Sequence, residues 1–264
     1  MKVYLSADIE GINNVTAWDE TELNLPDHQQ ASRLMTDEVL AACRGAIKAG
    51  ADEILLKDGH DSARNIIIDE LPEEVRIMRG WTNTPESMMA AIDSSFDAAI
   101  YIGYHAGAGY NGNPLSHTMD LSNNYIKING KRISEFDMNA YVAAYYGVPS
   151  VFISGDEQVC NLAKELVPEI GTCGVKYGIG NATFSIAPSL ACKKIEAGVC
   201  AALANRDKCL PVTPDHFDME INFKECVHAL RSSFYPGAEQ LDERTVLYRG
   251  KDIQDMMAAR MFML

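Results

Sequence analysis

Two carboxylates follow the first apolar run of the chain directly, in the segment Ser6-Ala7-Asp8-Ile9-Glu10-Gly11. Side chains alternate between the two faces of extended backbone, so Asp8 and Glu10 point the same way. Like charges at this spacing repel each other, and the pair is tolerable when solvent or a cation lies between the two groups. The end of this strand is therefore a position where a cation could bind.

Imidazole groups follow two later strands in a similar way. The predicted strand Glu53–Lys57 leads into Asp58-Gly59-His60, and the predicted strand Ala98–Gly103 leads into Tyr104-His105. In open α/β sheets, ligands sit outside the carboxyl ends of the strands. Carboxylates mixed with imidazoles suit zinc or another divalent transition metal. The joint pattern favours a metal site over separate turn, cap and structural roles.

Two further residues have both a chemical and a structural interpretation. His117 lies in a stretch rich in Gly and Asn, where it could act as a general acid/base or stabilise an oxyanion. From its residue type alone, a loop histidine bonded to backbone is the favoured interpretation. Glu135 follows the predicted cap residue Ser134, and the helix macrodipole alone explains a carboxylate there. Its role as a ligand would require neighbours that the sequence does not identify.

The segment Gly107–Gly112 matches the pattern G-x-G-x-x-G after a predicted strand. Asn113-Pro114 stands where a helix would have to begin, so no helix N-terminus is available to hold a pyrophosphate. We therefore predict a flexible active-site loop rather than a dinucleotide site. H-E-x-x-H, G-x-S-x-G and Walker A sequences are absent.

The elements that must position these residues alternate between strand and helix patterns. This alternation predicts an α/β fold with a mostly parallel, helix-flanked sheet. Ser87–Ile92, after Pro85, is predicted to be one of the helices. Beyond Pro211 and Pro214 the pattern restarts as a smaller α+β C-terminal unit. We predict a metal-binding catalytic domain over 1–210 and the smaller unit over 211–264, with a soft boundary between them.

The middle of the chain contains a strong turn signal. Asn129-Gly130, between the runs 125–128 and 131–133, predicts a two-residue β-hairpin. Ser134 followed three residues later by Asp137 predicts a capped helix start immediately after the hairpin.

Composition excludes several classes of protein. The 264 residues include 37 Asp and Glu against 23 Lys and Arg, a net charge of −14, and no basic cluster, which argues against nucleic acid and anionic membranes. No apolar run approaches the roughly 20 residues of a membrane span, and no signal-peptide pattern follows Met1. The seven cysteines contain no C-x-x-C pair, which predicts reduced thiols, a cytoplasmic location and no Cys-type zinc site.

The motifs in their order resemble the M55 family of D-aminopeptidases over nearly the whole chain. The matching segments are Ser6–Gly11, Asp58-Gly59-His60, Gly103-Tyr104-His105-Ala106, Ser116-His117-Thr118-Met119, and Glu135 with Asn139-Ala140-Tyr141. The resemblance implies a peptidase with two zinc ions per subunit, assembled as a homodecamer.

The resemblance also implies a role for each site residue. Asp8 would bridge both metals, Glu10 and His60 would complete one site, and His105 and Glu135 would complete the other. His117 would be the catalytic side chain beside the metals.

The leading hypothesis is therefore a zinc aminopeptidase that releases N-terminal D-amino acids, such as D-Ala, from short peptides or amides by a metal-activated water. The same ligands would suit a metal-dependent amidohydrolase or phosphoesterase of other specificity. A non-catalytic peptide-binding protein is the alternative from another class.

Overall fold

The computed structural model describes all 264 residues and contains two β-sheets with helices packed around them. The twelve strands, β1 to β12 in chain order, span Lys2–Ala7, Glu53–Asp58, Val75–Met78, Ala98–Tyr104, Asn123–Ile128, Lys131–Arg132, Ser150–Asp156, Gly171–Ile179, Ala182–Ser185, Phe217–Phe223, Ala238–Gln240 and Thr245–Gly250. The six α-helices, α1 to α6, span His28–Lys48, Glu135–Tyr145, Glu157–Leu166, Pro188–Leu203, Cys226–Ser232 and Ile253–Met263. None of these helices has the length and apolar character required to cross a lipid bilayer.

The larger sheet has seven strands in the order β3-β2-β1-β4-β7-β8-β9, and every pair except β8-β9 is parallel. Strands β1 and β4 lie near its centre and are buried almost throughout, as expected for parallel strands covered on both faces. The predicted α/β fold with a mostly parallel, helix-flanked sheet is confirmed. The order β2-β1-β4 brings the carboxyl ends of three neighbouring strands to one edge.

The second sheet is antiparallel, with five strands in the order β11-β12-β10-β5-β6. Helix α6 packs against β10 and β12 of this sheet. Strands β5 and β6 come from the middle of the chain, so the second sheet is not built from the C-terminal residues alone. The division of the chain into 1–210 and 211–264 stays a prediction.

The hairpin between β5 and β6 leads directly into α2. Asn129 and Gly130 both have positive φ angles, 50° and 80°, as a tight two-residue hairpin turn requires. The carboxylate of Asp137 accepts a hydrogen bond from the backbone N–H of Ser134 at 2.9 Å, so the predicted capped helix start is confirmed. Glu135 is therefore held in the first turn of α2.

The predicted helix over Ser87–Ile92 is wrong, because the structure has only a 3₁₀ turn over Ser87–Met89. Ser87 and Ala91 have φ angles of 51° and 65°, and this left-handed backbone cannot continue a right-handed helix. The residues of this turn pack instead at the edge of the sheet where β1, β2 and β4 end.

Candidate metal centre

The ends of three neighbouring strands carry four of the predicted site residues. Asp8 and Glu10 follow β1, His60 follows β2 by two residues, and His105 directly follows β4. Because these strands are parallel neighbours, their carboxyl ends meet at one edge of the sheet. The four side chains therefore enter the same space.

The backbone after β1 approaches the end of β4 closely. The N–H of Asp8 donates to the carbonyl of Ile102, and the N–H of Gly11 donates to the carbonyl of Gly103, both at 2.8 Å. A Cβ atom on Gly103 would lie 2.2 Å from the carbonyl oxygen of Asp8, and the φ angle of Gly103 is 72°. Only glycine fits this position without a backbone shift, and the close approach brings Asp8 beside His105.

Asp8, Glu10 and His60 form a buried group, which we call the first triad. Nδ1 of His60 lies 3.0 Å from Oε2 of Glu10 and 3.5 Å from Oδ1 of Asp8. One donor atom from each residue lies within 4.8 Å of the others, a spacing that one metal ion could occupy.

Asp8, His105 and Glu135 form a second buried group, which we call the second triad. Nε2 of His105 lies 3.4 Å from Oδ2 of Asp8 and 3.7 Å from Oε1 of Glu135. Asp8 therefore presents one carboxylate oxygen to each triad. This arrangement suits a carboxylate that bridges two cations.

His117 lies beside both triads. Its Nε2 is 3.6 Å from Oε1 of Glu135 and 3.8 Å from Oε1 of Glu10. Its ring stacks on the ring of His105, with centroids 4.4 Å apart, and its other neighbour is the edge of Trp18 at 5.3 Å. The structure thus brings all six predicted site residues together.

Backbone carbonyls orient all three imidazole rings. The carbonyl oxygens of Thr21, Ala106 and Leu115 lie 3.1, 3.0 and 2.9 Å from Nε2 of His60, Nδ1 of His105 and Nδ1 of His117, respectively. A carbonyl only accepts hydrogen bonds, so each of these ring nitrogens carries the proton. The opposite nitrogen of each ring is directed at carboxylates, as in histidine ligands held by an outer hydrogen bond.

Two buried polar atoms of the site lack a hydrogen-bond partner. They are Oε2 of Glu10 and Nε2 of His105, on side chains that are 2% and 1% exposed. Leaving such atoms unpaired costs free energy, and a cation in each triad would pair one of these two atoms. The mixed oxygen and nitrogen donors and their burial fit zinc.

The site is strongly polarised. Burial opposes ionisation of Asp8, but His105 and His60 hold the pKa of its carboxyl well below the usual range. Burial also opposes the charged form of His105, yet the carboxylates of Glu135 and Asp8 raise its pKa to about 10. Burial raises the pKa of Glu135 above its usual value. Without metal, the imidazole of His105 therefore holds a proton that a cation would have to displace.

A cavity of about 450 Å³ opens over the two triads. Its walls combine apolar side chains with the carboxylates of Glu22, Asp61 and Asp120, and no Lys or Arg lines it. The Gly107–Gly112 segment contributes no residue to the cavity, which corrects its prediction as an active-site loop. The amide of Ala108 in this segment is instead bound to the hydroxyl of Thr118 at 2.9 Å.

The sequence interpretation missed the two tryptophans of the site. Trp18 and Trp81 are the only tryptophans in the chain, and both line the cavity. Neither lies in a recognisable motif. Two features of the sequence could have indicated them. Tryptophan is rare in this chain, and each tryptophan follows a predicted strand of the sheet whose carboxyl edge carries the site residues.

Comparison with known proteins gives a consistent result. The peptidase M55 family model, described as D-aminopeptidase, matches residues 1–262. The chain is 31% identical over 266 residues to a D-aminopeptidase of Bacillus subtilis (strain 168), covering 100% of this chain and 96% of that protein. The solved structure of the Zn-dependent D-aminopeptidase DppA from Bacillus subtilis, described as a self-compartmentalizing protease, superposes with a TM-score of 0.94 at 30% identity, covering 100% of this chain and 96% of that chain.

Proposed function

Since this chain belongs to the M55 family of D-aminopeptidases, we propose that it is a zinc-dependent aminopeptidase that releases N-terminal D-amino acids, such as D-Ala, from short peptides or amides. The observation that carries the proposal is the pair of buried triads that share Asp8 at the floor of an open cavity. The Zn-dependent relative of the same fold supports the choice of metal.

In this proposal the enzyme is binuclear. Glu10 and His60 would hold one zinc ion, His105 and Glu135 would hold the other, and Asp8 would contribute one oxygen to each. When bound, zinc supplies Lewis acidity, which polarises a carbonyl group and acidifies water.

His117 is the proposed catalytic side chain. Its Nδ1 is occupied by the carbonyl of Leu115, so its Nε2 is the nitrogen available to substrate above the two triads. Nε2 would take the proton from the attacking water and deliver it to the leaving amine, or stabilise the developing oxyanion as an imidazolium. The stacked ring of His105 and the edge of Trp18 hold the imidazole in place for that transfer.

The cavity wall supports a substrate with a free amino terminus. The carboxylates of Glu22, Asp61 and Asp120 make the wall acidic, and no basic side chain opposes them. Such a wall attracts a protonated amine and repels an anion.

The assembly and location of the protein are further parts of the proposal. A homodecamer would follow the resemblance to its family, and the relative described as self-compartmentalizing supports an oligomer. The seven cysteines are all free thiols, which supports a reducing compartment such as the cytoplasm.

The test is hydrolysis of D-Ala p-nitroanilide and L-Ala p-nitroanilide by the zinc-loaded protein, by the protein treated with a chelator, and after zinc is returned. We expect cleavage of the D-substrate, loss of that cleavage with chelator, and recovery with zinc. Equal cleavage of both enantiomers would contradict the D-specificity. Cleavage of p-nitrophenyl phosphate instead would indicate a phosphoesterase, and zinc-independent binding without cleavage would indicate a peptide-binding protein.

A further inference from the structure

One wall of the cavity is formed by Trp81, the third residue after β3. Trp81 is 38% exposed, yet a specific hydrogen bond also holds its indole. Nε1 of the indole donates to the backbone carbonyl of Asp61 at 2.6 Å. This bond links the segment after β3 to the segment after His60, and both residues line the cavity.

A buried lysine, Lys57, packs against one face of the same indole. Nζ of Lys57 lies 4.2 Å from the ring centroid of Trp81, within the range of a cation–π interaction. Lys57 is fully buried, and its ammonium also donates to the carbonyl of Gly80 at 2.9 Å, the residue before Trp81. The ring is therefore fixed on one face by Lys57 and at its N–H edge by Asp61.

These contacts give the remaining indole surface a defined chemistry. An ammonium on one face of an aromatic ring polarises its π electrons towards that face. The ring then attracts a second cation on the opposite face less strongly. The open surface consequently favours uncharged apolar or aromatic groups over cations. Anionic groups are disfavoured as well, because Glu22, Asp61 and Asp120 lie in the same cavity.

We propose that Trp81, positioned by Lys57, is a specificity-determining wall that selects substrates with an uncharged apolar or aromatic group next to the scissile bond. This inference rests on the proposed aminopeptidase function and adds a substrate class to it. Trp81 contacts the substrate, whereas Lys57 acts through Trp81 as a positioning residue. Because Lys57 already fixes the indole, Trp81 loses little conformational entropy when substrate binds.

The kinetic test compares substrates that differ in one group. D-Ala p-nitroanilide against D-Ala amide varies the leaving group, and D-Phe amide against D-Ala amide varies the N-terminal side chain. For each pair the preference is the kcat/KM of the aromatic substrate divided by the kcat/KM of D-Ala amide. In Trp81→Ala we expect this ratio to fall about tenfold for one of the two pairs, mainly through a higher KM for the aromatic substrate. The pair that responds identifies the side of the scissile bond that meets Trp81.

Matched variants distinguish a role of Trp81 in specificity from a nonspecific loss of structure or activity. Lys57→Met should lower the same ratio by a smaller factor, and Lys57→Arg should restore most of it. Phe234→Ala removes an aromatic side chain that is 80% exposed and outside the cavity, and it should leave both ratios unchanged. Unchanged ratios in Trp81→Ala would overturn the proposal.

A binding measurement keeps the inference separate from the proposed function. In the Trp18→Phe variant, Trp81 is the only tryptophan, so its emission reports on the wall alone. In the metal-free protein, where no turnover is needed, we expect D-Ala anilide or D-Phe amide to change this emission saturably, and D-Ala amide to change it far less. We also expect Lys57→Met in this background to change the emission without any ligand.

The outcomes are then distinct. A zinc-loaded wild-type protein that cleaves none of these substrates would refute the aminopeptidase function, while an emission change with D-Ala anilide or D-Phe amide would still support the wall. Emission that ignores both D-Ala anilide and D-Phe amide, or responds equally to them and to D-Ala amide, would refute the wall whatever the activity.

Discussion

The two triads share Asp8 but differ in how the fold assembles them. The first triad is completed by Glu10 and His60, which follow two adjacent strands of one sheet. The second is completed by His105, which also follows a strand, and by Glu135, which lies in the first turn of a helix. The imidazole-to-carboxylate distances are 3.0 and 3.5 Å in the first triad and 3.4 and 3.7 Å in the second.

The difference lies mainly in the two glutamates. Oε2 of Glu10 has no hydrogen-bond partner, so this carboxylate is free for a cation. Oε1 of Glu135 already accepts a hydrogen bond of 2.7 Å from the backbone N–H of Met119, whose φ angle is 68°. The ends of two adjacent strands bring the first triad together, whereas the second depends on a loop held in an uncommon left-handed conformation.

Removing the shared residue should have the largest effect. Asp8→Ala deletes an oxygen from each triad, so we expect loss of both zinc ions and a fall in kcat/KM beyond the ~100-fold that loss of an outer hydrogen-bond partner costs. Elemental analysis of the purified variant measures the zinc. Asp61→Asn is the control for zinc content, since Asp61 lines the cavity but belongs to neither triad. Retention of either zinc ion in Asp8→Ala would show that the triads are independent.

Breaking only the second triad should remove only one ion. Glu135→Gln keeps the shape of the side chain but removes its charge, so we expect about one zinc fewer per protomer. Asp137→Asn is the matched control two residues along the same helix, where the carboxylate accepts from Ser134. It should lower the free energy of unfolding by about 1 kcal/mol and leave the zinc content unchanged. Equal zinc in Glu135→Gln and wild type would reassign Glu135 to helix capping.

Changing the residue beside both triads should leave the metal in place. We expect His117→Ala to retain its zinc and to lose about 10²–10⁴-fold in kcat, the usual contribution of a general acid or base. Zinc content and turnover are measured on the same preparation. Normal turnover of the fully loaded variant would remove His117 from the mechanism.

The smallest expected effect concerns the support behind the first triad. Oε1 of Glu38 accepts a hydrogen bond of 3.0 Å from the backbone N–H of Asn13, a residue that closely follows Glu10 in the chain. Burial raises the pKa of Glu38 from 4.5 to about 7. The folded protein therefore keeps a proton that the unfolded chain releases between these pH values. The free energy of unfolding should fall as pH rises through this window, by up to about 3 kcal/mol from this group.

The variant Glu38→Gln keeps the acceptor and cannot ionise. Its stability relative to wild type should therefore rise between pH 4.5 and 7, as measured by urea unfolding of the two metal-free proteins. Parallel stability curves across this range would show that Glu38 titrates normally in the folded state.

Much of the site was predictable because strands and their ends are local features. Asp8 with Glu10, His60 and His105 each follow an apolar run of strand length, and parallel neighbours must place such ends at one edge. The hairpin at Asn129-Gly130 was equally predictable, because the turn requires two consecutive positive φ angles and the dipeptide Asn-Gly adopts them readily. The helix expected over Ser87–Ile92 failed, because tertiary packing holds that segment in left-handed backbone that its residue types do not favour.

The sequence by itself therefore determined the chemistry of the strand ends, the α/β class and the start of α2. Residue patterns alone did not determine that β1 lies between β2 and β4, nor that Glu135 and His117 reach the same cavity. Only the family resemblance implied a shared site for these two residues. Strand order and loop path depend on packing between residues far apart in the chain, which local pattern does not encode. The tertiary structure supplied the distances from Asp8 to two imidazoles, and it alone decided that Lys57 fixes the indole of Trp81 at the cavity wall.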